Sequence, residues 1–149
     1  MSLKERVQED MKTAMRAGDK DRLATVRLIL AAIKQREVDE RVVLDDSQVL
    51  SVLEKMGKQR RESIAQFAAG GRSDLVAKES AELDVINAYM PAQLGDAELD
   101  ALIGAAIAQS GAASIKDMGK VMGIIKAKAQ GRADMAVVGA RIKARLSPS

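Results

Sequence analysis

The chain has no cysteine, no histidine and no tryptophan, and only one phenylalanine, one tyrosine and two prolines in 149 residues. Without cysteine there is no disulfide, no thiol nucleophile and no thiolate metal site. Without histidine there is no imidazole ligand and no Ser-His or Cys-His relay. With almost no aromatics the core is built from Leu, Ile, Val, Ala and eight Met. No period-2 run of β-branched residues is long enough to need a sheet. No apolar stretch approaches the roughly 20 residues that a membrane span requires. The opening Met1-Ser2-Leu3-Lys4-Glu5-Arg6 is charged at once, unlike a signal peptide. A cysteine-free chain is compatible with any compartment. The expectation is a cytoplasmic protein with no membrane partner, no metal and no cofactor.

What is present points to helices. Charged residues make up 30% of the chain and hydrophobic ones 47%, and this length buries roughly 70% of the unfolded surface without staples. Net charge is only +3 but is unevenly spread. Residues 74–112 carry one basic residue against seven acids. Residues 113–149 carry eight basic residues against two acids. A basic end is either the footprint of an anionic partner or a solvated helical surface.

Seven helices are expected. Ser2 and Glu5 form a capping box at the first; Leu3, Val7, Met11, Ala14 and Met15 stripe it, and Gly18 ends it. The second, about 21–37, carries Leu23, Val26, Leu30 and Ile33, widened by Leu28, Ile29 and Ala32, and reads as the most buried N-terminal helix. Val42-Val43-Leu44 reads as tucked under a helix. Asp45 and Gln48 cap the third, which is polar all round over residues 55–63 and so reads as protruding or facing a charged partner. Gly70-Gly71 stops it. Ser73 caps an acidic fourth helix running to Tyr89, and Pro91 forbids continuation past Met90. Met90-Pro91-Ala92-Gln93 reads as a linker. The fifth spans 96–109, with Gly95 at its cap and Leu94 stapled to Leu99. The sixth begins at Ser114 with Asp117 as its capping partner. Asp134 caps the seventh, with Val138, Ile142 and Leu146 inward, and 147–149 read as a frayed tail. The expected organisation is all-α: a four-helix N-terminal domain, 1–91, and a small three-helix C-terminal domain, 92–149.

The segment Asp117-Met118-Gly119-Lys120-Val121-Met122-Gly123 carries the main candidate site. Gly119 and Gly123 fall on one face of a helix, at a cost of roughly 1 kcal/mol each against alanine. They are close-approach glycines on either of two readings. Neighbouring helices cross there, or an RNA or protein backbone comes close while Lys120 meets a phosphate. Lys126, Lys128 and Arg132 follow. Lys58, Arg60 and Arg61 form a second cation cluster, either an RNA contact or i,i+4 partners of Glu54 and Glu62. A phosphate loop at Gly119-Lys120 fails, because Ser114 stands where the earlier glycine belongs and Val121 follows the lysine. The acids Asp74, Glu79, Glu82 and Asp84 have no histidine partner and no calcium-loop pattern. No S-x-x-K pattern occurs. Tyr89 reads as a core residue with its hydroxyl at the edge. No catalytic residues are expected.

Several of these residues together resemble a known family. They are Lys58, Arg61-Glu62-Ser63-Ile64, Phe67, Gly71-Arg72-x-Asp74-Leu75, Glu79, Tyr89-Met90-Pro91-x-Gln93-Leu94, Asp117-Met118-Gly119-Lys120-Val121-Met122 and Gly131-x-x-Asp134. The chain resembles, over nearly its whole length, the YqeY-like proteins (GatB/YqeY family). Its C-terminal part is similar to the tail domain of the B subunit of the tRNA-dependent Asp/Glu amidotransferase, which reaches for tRNA while amide transfer occurs elsewhere. The resemblance implies the same two-part all-α fold and the label of a carbon–nitrogen ligase with glutamine as amido-N-donor. The residues supply no Ser-Ser-Lys amidase arrangement and no kinase-like site for that label. Gly95 departs from the family's usual Ser/Thr cap.

The leading expectation is a non-catalytic module that takes tRNA or another structured RNA by its phosphates. Lys120, Lys126, Lys128 and Arg132 form the grip, with Lys58, Arg60 and Arg61 as a second contact. Four phosphate contacts predict a salt slope on the order of −3, and the lack of aromatics predicts poor base readout. One alternative is a component of tRNA-dependent amidation, meeting aminoacyl-tRNA and amidotransferase subunits. The other is a helical adaptor docking a protein through its third and fourth helices.

Overall fold

The computed structural model describes Met1–Ser147. Pro148 and Ser149, two of the three residues read as a frayed tail, lie outside the described residues. The fold is all-α, with no strand among the described residues. The helices are α1 (Leu3–Ala17), α2 (Lys20–Glu40), α3 (Asp46–Ala69), α4 (Ser73–Asn87), α5 (Asp96–Ser110), α6 (Met118–Ala129) and α7 (Met135–Leu146). A 3-10 turn, Ile115–Asp117, leads into α6. The chain divides into two compact units, Met1–Met90 and the residues from Pro91 on.

In the first unit the local signals act where they stand. Ser2 Oγ accepts the Glu5 N–H at 3.1 Å. Asp45 and Gln48 cap α3 reciprocally, the Gln48 N–H reaching Asp45 Oδ1 at 2.8 Å and the Asp45 N–H reaching Gln48 Oε1 at 3.0 Å. Gly18 and Gly71 take positive φ at turns, where glycine has no Cβ penalty. The core gathers Val7, Val26, Ile29, Ile33, Leu53 and Ile86 with further aliphatics and Tyr89 around them. Thr25 is buried at this core's edge and donates its hydroxyl to the Asp21 carbonyl at 3.2 Å, which satisfies it.

Several local expectations are corrected here. Helix α2 runs three residues past 37, because Arg41 adopts the left-handed conformation and ends it. Of Val42-Val43-Leu44 only Leu44 is buried, while Val43 is 80% exposed. The Leu44 N–H donates to Glu37 Oε2 at 3.0 Å, which holds Leu44 inward. Met15 and Leu28 are exposed, not part of the core. Ser73 is the first residue of α4 and not its cap; Arg72 stands at the cap, where its side chain caps no backbone N–H. Helix α4 ends at Asn87, yet Tyr89 stays buried just beyond it. Burial raises its phenol above the usual range, and its hydroxyl donates to Asp10 Oδ2 at 2.6 Å.

The middle of α3 does not protrude. Helix α4 lies along it, and Met56 and Gly57 are buried. A Cβ on Gly57 would stand 3.8 Å from Leu83 Cδ1 and 3.9 Å from Ile86 Cγ2. The polar residues on either side hid a narrow apolar contact at Met56 and Gly57.

The second unit closes on Leu99, Ile103, Ala106, Val121, Ile125, Ala129, Val138, Ile142 and Leu146. Its entry is held and does not hang free as a linker. The Leu94 N–H donates to the Arg132 carbonyl at 2.8 Å, Gln93 Nε2 donates to the Gly131 carbonyl at 2.8 Å, and Arg132 Nε donates to the Ala92 carbonyl at 2.9 Å. Gly131 is buried with φ +75, a conformation that disfavours a side chain. Ser147 is not frayed: its hydroxyl donates to the Lys143 carbonyl at 2.7 Å. No helix among the described residues is long and apolar enough to cross a membrane.

Candidate functional site

Helix α6 places the main candidate residues. Asp117 anchors its start: Oδ2 accepts the Ala113 N–H at 3.0 Å and the Ser114 N–H at 3.4 Å. The Ala113 N–H is the main cause that holds this carboxyl below the usual range, with Ser114 and the nearby Lys120 charge adding to it. Val121, Ile125 and Ala129 turn into the core. The face turned away from them carries Gly119, Gly123, Lys126 and Ala127, all exposed.

The expectation that helices cross at Gly119 and Gly123 is corrected. A Cβ built on either glycine meets nothing within 4 Å. The unit's close approaches lie elsewhere. A Cβ on Gly139 would stand 3.5 Å from Met118 Cε, and one on Gly104 would stand 3.2 Å from Arg145 Nη1. Helices α6 and α7 meet at the former. At the latter a guanidinium lies over α5, and its Nη1 donates to the Asp100 carbonyl at 3.1 Å.

The lysines are unequal. Lys126 follows Gly119 by seven residues, two turns on and on the same face. Lys120 stands beside that strip, exposed. Lys128 is two residues beyond Lys126, about 200° round the helix, and points off the other side. Lys116, not among the expected contacts, is exposed three residues before Gly119; i−3, i, i+4, i+7 spacing was the signal that would have found it. Arg132 is half-buried, and its Nε holds the Ala92 carbonyl as described. Arg141 is likewise committed, to Asp96 Oδ1 at 2.6 Å and Asp100 Oδ1 at 3.0 Å, which raises its pKa further.

The second cluster comes apart. Arg60 Nε binds Glu82 Oε2 at 2.8 Å and stands 3.4 Å from Glu79 Oε2, with its side chain only 18% exposed. Glu79 and Glu82 of α4 therefore serve as its partners. Arg61 lies over Gly57, its Nη1 3.3 Å from where a Cβ would be. Lys58 is exposed. Arg72 forms a forked pair with Asp74, at 3.2 and 3.1 Å, and this is the first cause of the lowered Asp74 carboxyl. Among the described residues no group of acids is arranged to hold a metal ion.

Most of the motif residues thus have an internal task. Gly71, Arg72 and Asp74 make the turn into α4; Gln93, Leu94, Gly131 and Arg132 close the second unit; Asp117 and Met118 seat α6. Gly119 and Gly123 have none, and Lys120 only adds its charge beside Asp117.

The architecture defines a class: an all-α protein of two helical units, with a glycine strip and free lysines on one exposed helix. Within that class the chain belongs to the Yqey-like protein family, whose match spans residues 4–146. Among curated relatives, "Altered inheritance of mitochondria protein 41, mitochondrial" of Pyrenophora tritici-repentis is 35% identical over 131 residues, covering 86% of this chain and 71% of the relative. The protein of the same name from Eremothecium gossypii is 44% identical over 87 residues, 58% of this chain and 48% of the relative. That from Saccharomyces cerevisiae is 38% identical over 92 residues, 61% and 50% respectively. The chain spans about half the length of the latter two. The expectation of a cytoplasmic protein is corrected by these relatives, which are named as mitochondrial.

Proposed function

We propose that the protein is a non-catalytic RNA-binding module that takes tRNA or another structured RNA by its sugar–phosphate backbone on the exposed face of α6. The observation that carries this reading is the pair Gly119 and Gly123. Each costs its helix roughly 1 kcal/mol against alanine, and no internal contact within 4 Å gives either a packing reason. An external backbone approaching the strip is a reason. Lys116, Lys120 and Lys126 frame about 15 Å of helix, a length given by the 1.5 Å rise per residue. With Arg132 tied to Ala92 and Lys128 turned away, three phosphate contacts remain.

Affinity on this reading is electrostatic and falls with salt, with a log–log slope of about −2 to −3. Base identity is not read, since no aromatic platform lies on α6. The test is binding of purified protein to bulk tRNA across a salt series, beside Lys120→Ala/Lys126→Ala and Gly119→Leu/Gly123→Leu. Both variants are expected to lose binding, the second while its helix becomes more stable. Binding that is insensitive to salt, or retained in the leucine variant, sinks the reading. Glutamine-dependent amidation with separate subunits becomes worth testing only if tRNA binds.

A further inference from the structure

Helix α2 has two apolar sides, and only one of them is covered. Val26, Ile29, Leu30 and Ile33 face the core. On the other side stand Ala24, Leu28, Ala31 and Val38, with the polar Gln35 among them and bound to Asp39 Oδ1 at 2.9 Å, all exposed, with Leu28 at 44% and Val38 at 59%. Their spacing is 4-3-4-3, the seam of a helix that packs along another helix. Small Ala24 and Ala31 alternate with larger residues, which lets a second backbone come near. From Ala24 to Val38 the seam is about 21 Å long at 1.5 Å per residue.

One edge of the seam is basic at strict seven-residue spacing: Lys20, Arg27, Lys34 and Arg41. All four are exposed, and no side-chain hydrogen bond or ion pair holds any of them among the described residues, though the Lys34 charge helps lower the Glu37 carboxyl. On the opposite edge Thr25 and Ala32 turn into the unit's own core, and Asp39, next at that spacing, is exposed and accepts Gln35 Nε2 at 2.9 Å.

We propose that this face of α2 docks an amphipathic helix of another protein, one that sets apolar residues along the seam and a row of Asp or Glu against Lys20, Arg27, Lys34 and Arg41. Charge decides the occupant. A second copy laid antiparallel would set one cation row against the other, a like-charge arrangement that disfavours pairing. Laid parallel, it would set the row against Thr25 and Ala32, which are already covered, and a single acid, Asp39, which Gln35 already holds. An anionic lipid surface fits less well. The seam lacks the bulky residues that enter a bilayer interface, and Asp21, Asp39 and Glu40 are exposed at the two ends of the helix. This surface is separate from the α6 face and does not depend on RNA binding.

The test uses the full chain and two labelled three-heptad helical peptides with the same Leu/Ala seam. One carries Glu and the other Lys at the positions that flank it, and binding is read by fluorescence anisotropy at concentrations where each peptide is monomeric. The Glu peptide is expected to bind at least about tenfold more tightly than the Lys peptide. Arg27→Glu/Lys34→Glu is expected to reverse that preference, and Leu28→Asp or Val38→Asp to weaken both peptides about tenfold. These positions are exposed, so circular dichroism and Tm report an intact fold in each variant. Equal binding of the two peptides, or none by the Glu peptide, overturns the proposal. So does self-association in sedimentation that Leu28→Asp abolishes, which would make a second copy the occupant. Partition onto anionic vesicles that depends on Leu28 while the peptides fail to bind would hand the face to a membrane.

Discussion

The tripeptide Met-Gly-Lys occurs twice, at 56–58 in α3 and at 118–120 in α6. Locally the two are alike: a glycine inside a helix, an apolar residue before it and a cation after it. Their surroundings differ. Gly57 is buried beneath Leu83 and Ile86 of α4, and Arg61 lies over it. Gly119 has nothing within 4 Å. The same local cost therefore has an internal return in α3 and none in α6. The cations follow suit. Around Gly57, Arg60 is held by Glu79 and Glu82, whereas Lys120 and Lys126 form no ion pair among the described residues. A glycine–lysine motif marks a candidate contact with a partner only where the fold leaves it uncovered.

The sharpest way to break the comparison is Gly57→Leu. Overpacking against Leu83 and Ile86 is expected to cost about 3 kcal/mol in denaturant unfolding, while Gly119→Leu costs nothing; equal effects would erase the distinction. Next, Arg60→Ala strands two partly buried carboxylates and is expected to lose about 2 kcal/mol. Lys120→Ala leaves Tm unchanged, which calorimetry checks. Gly119→Ala with Gly123→Ala is expected to raise stability by roughly 1 kcal/mol per site and should not change the fold. A loss of stability there would mean that the glycines have a structural task after all. The smallest effect is on acid sensitivity. Lys4 Nζ donates to both Glu37 carboxylate oxygens at 2.9 Å and the Leu44 N–H donates to one, holding the Glu37 carboxyl below its usual range. Its depressed folded pKa means that the tie contributes above the ordinary glutamate value of about 4.3 and is lost as pH falls through the folded value. Glu37→Gln is expected to flatten the first unit's stability profile in that window, followed by circular dichroism from pH 6 to 2.

Much of the fold was legible because its signals are short-range. Asp45 with Gln48, Ser114 with Asp117, and Gly18, Gly71 and Gly111 act within four residues, and the helices start and stop beside them. Periodicity also placed Val138, Ile142 and Leu146 inward, where they lie. It failed where one helix carries two apolar sides. Leu28 looked like a wider core in α2 and is surface. It failed again in α3, where a polar stretch concealed buried Met56 and Gly57. At the candidate site, the glycines and Lys120 were readable from spacing. The commitment of Arg132 to Ala92, 40 residues away, was not, nor that of Arg60 to Glu82, 22 residues away.

The all-α class and the family membership are written in local signals along the chain. Propensity, caps and the 3.6-residue period act within a turn or two, and the motifs are written along the chain. Which Met-Gly-Lys is covered, which arginines are already bound and which side of α2 is bare depend on packing between helices. Burial and ion pairing are set by residues from other helices, and no local rule carries that information.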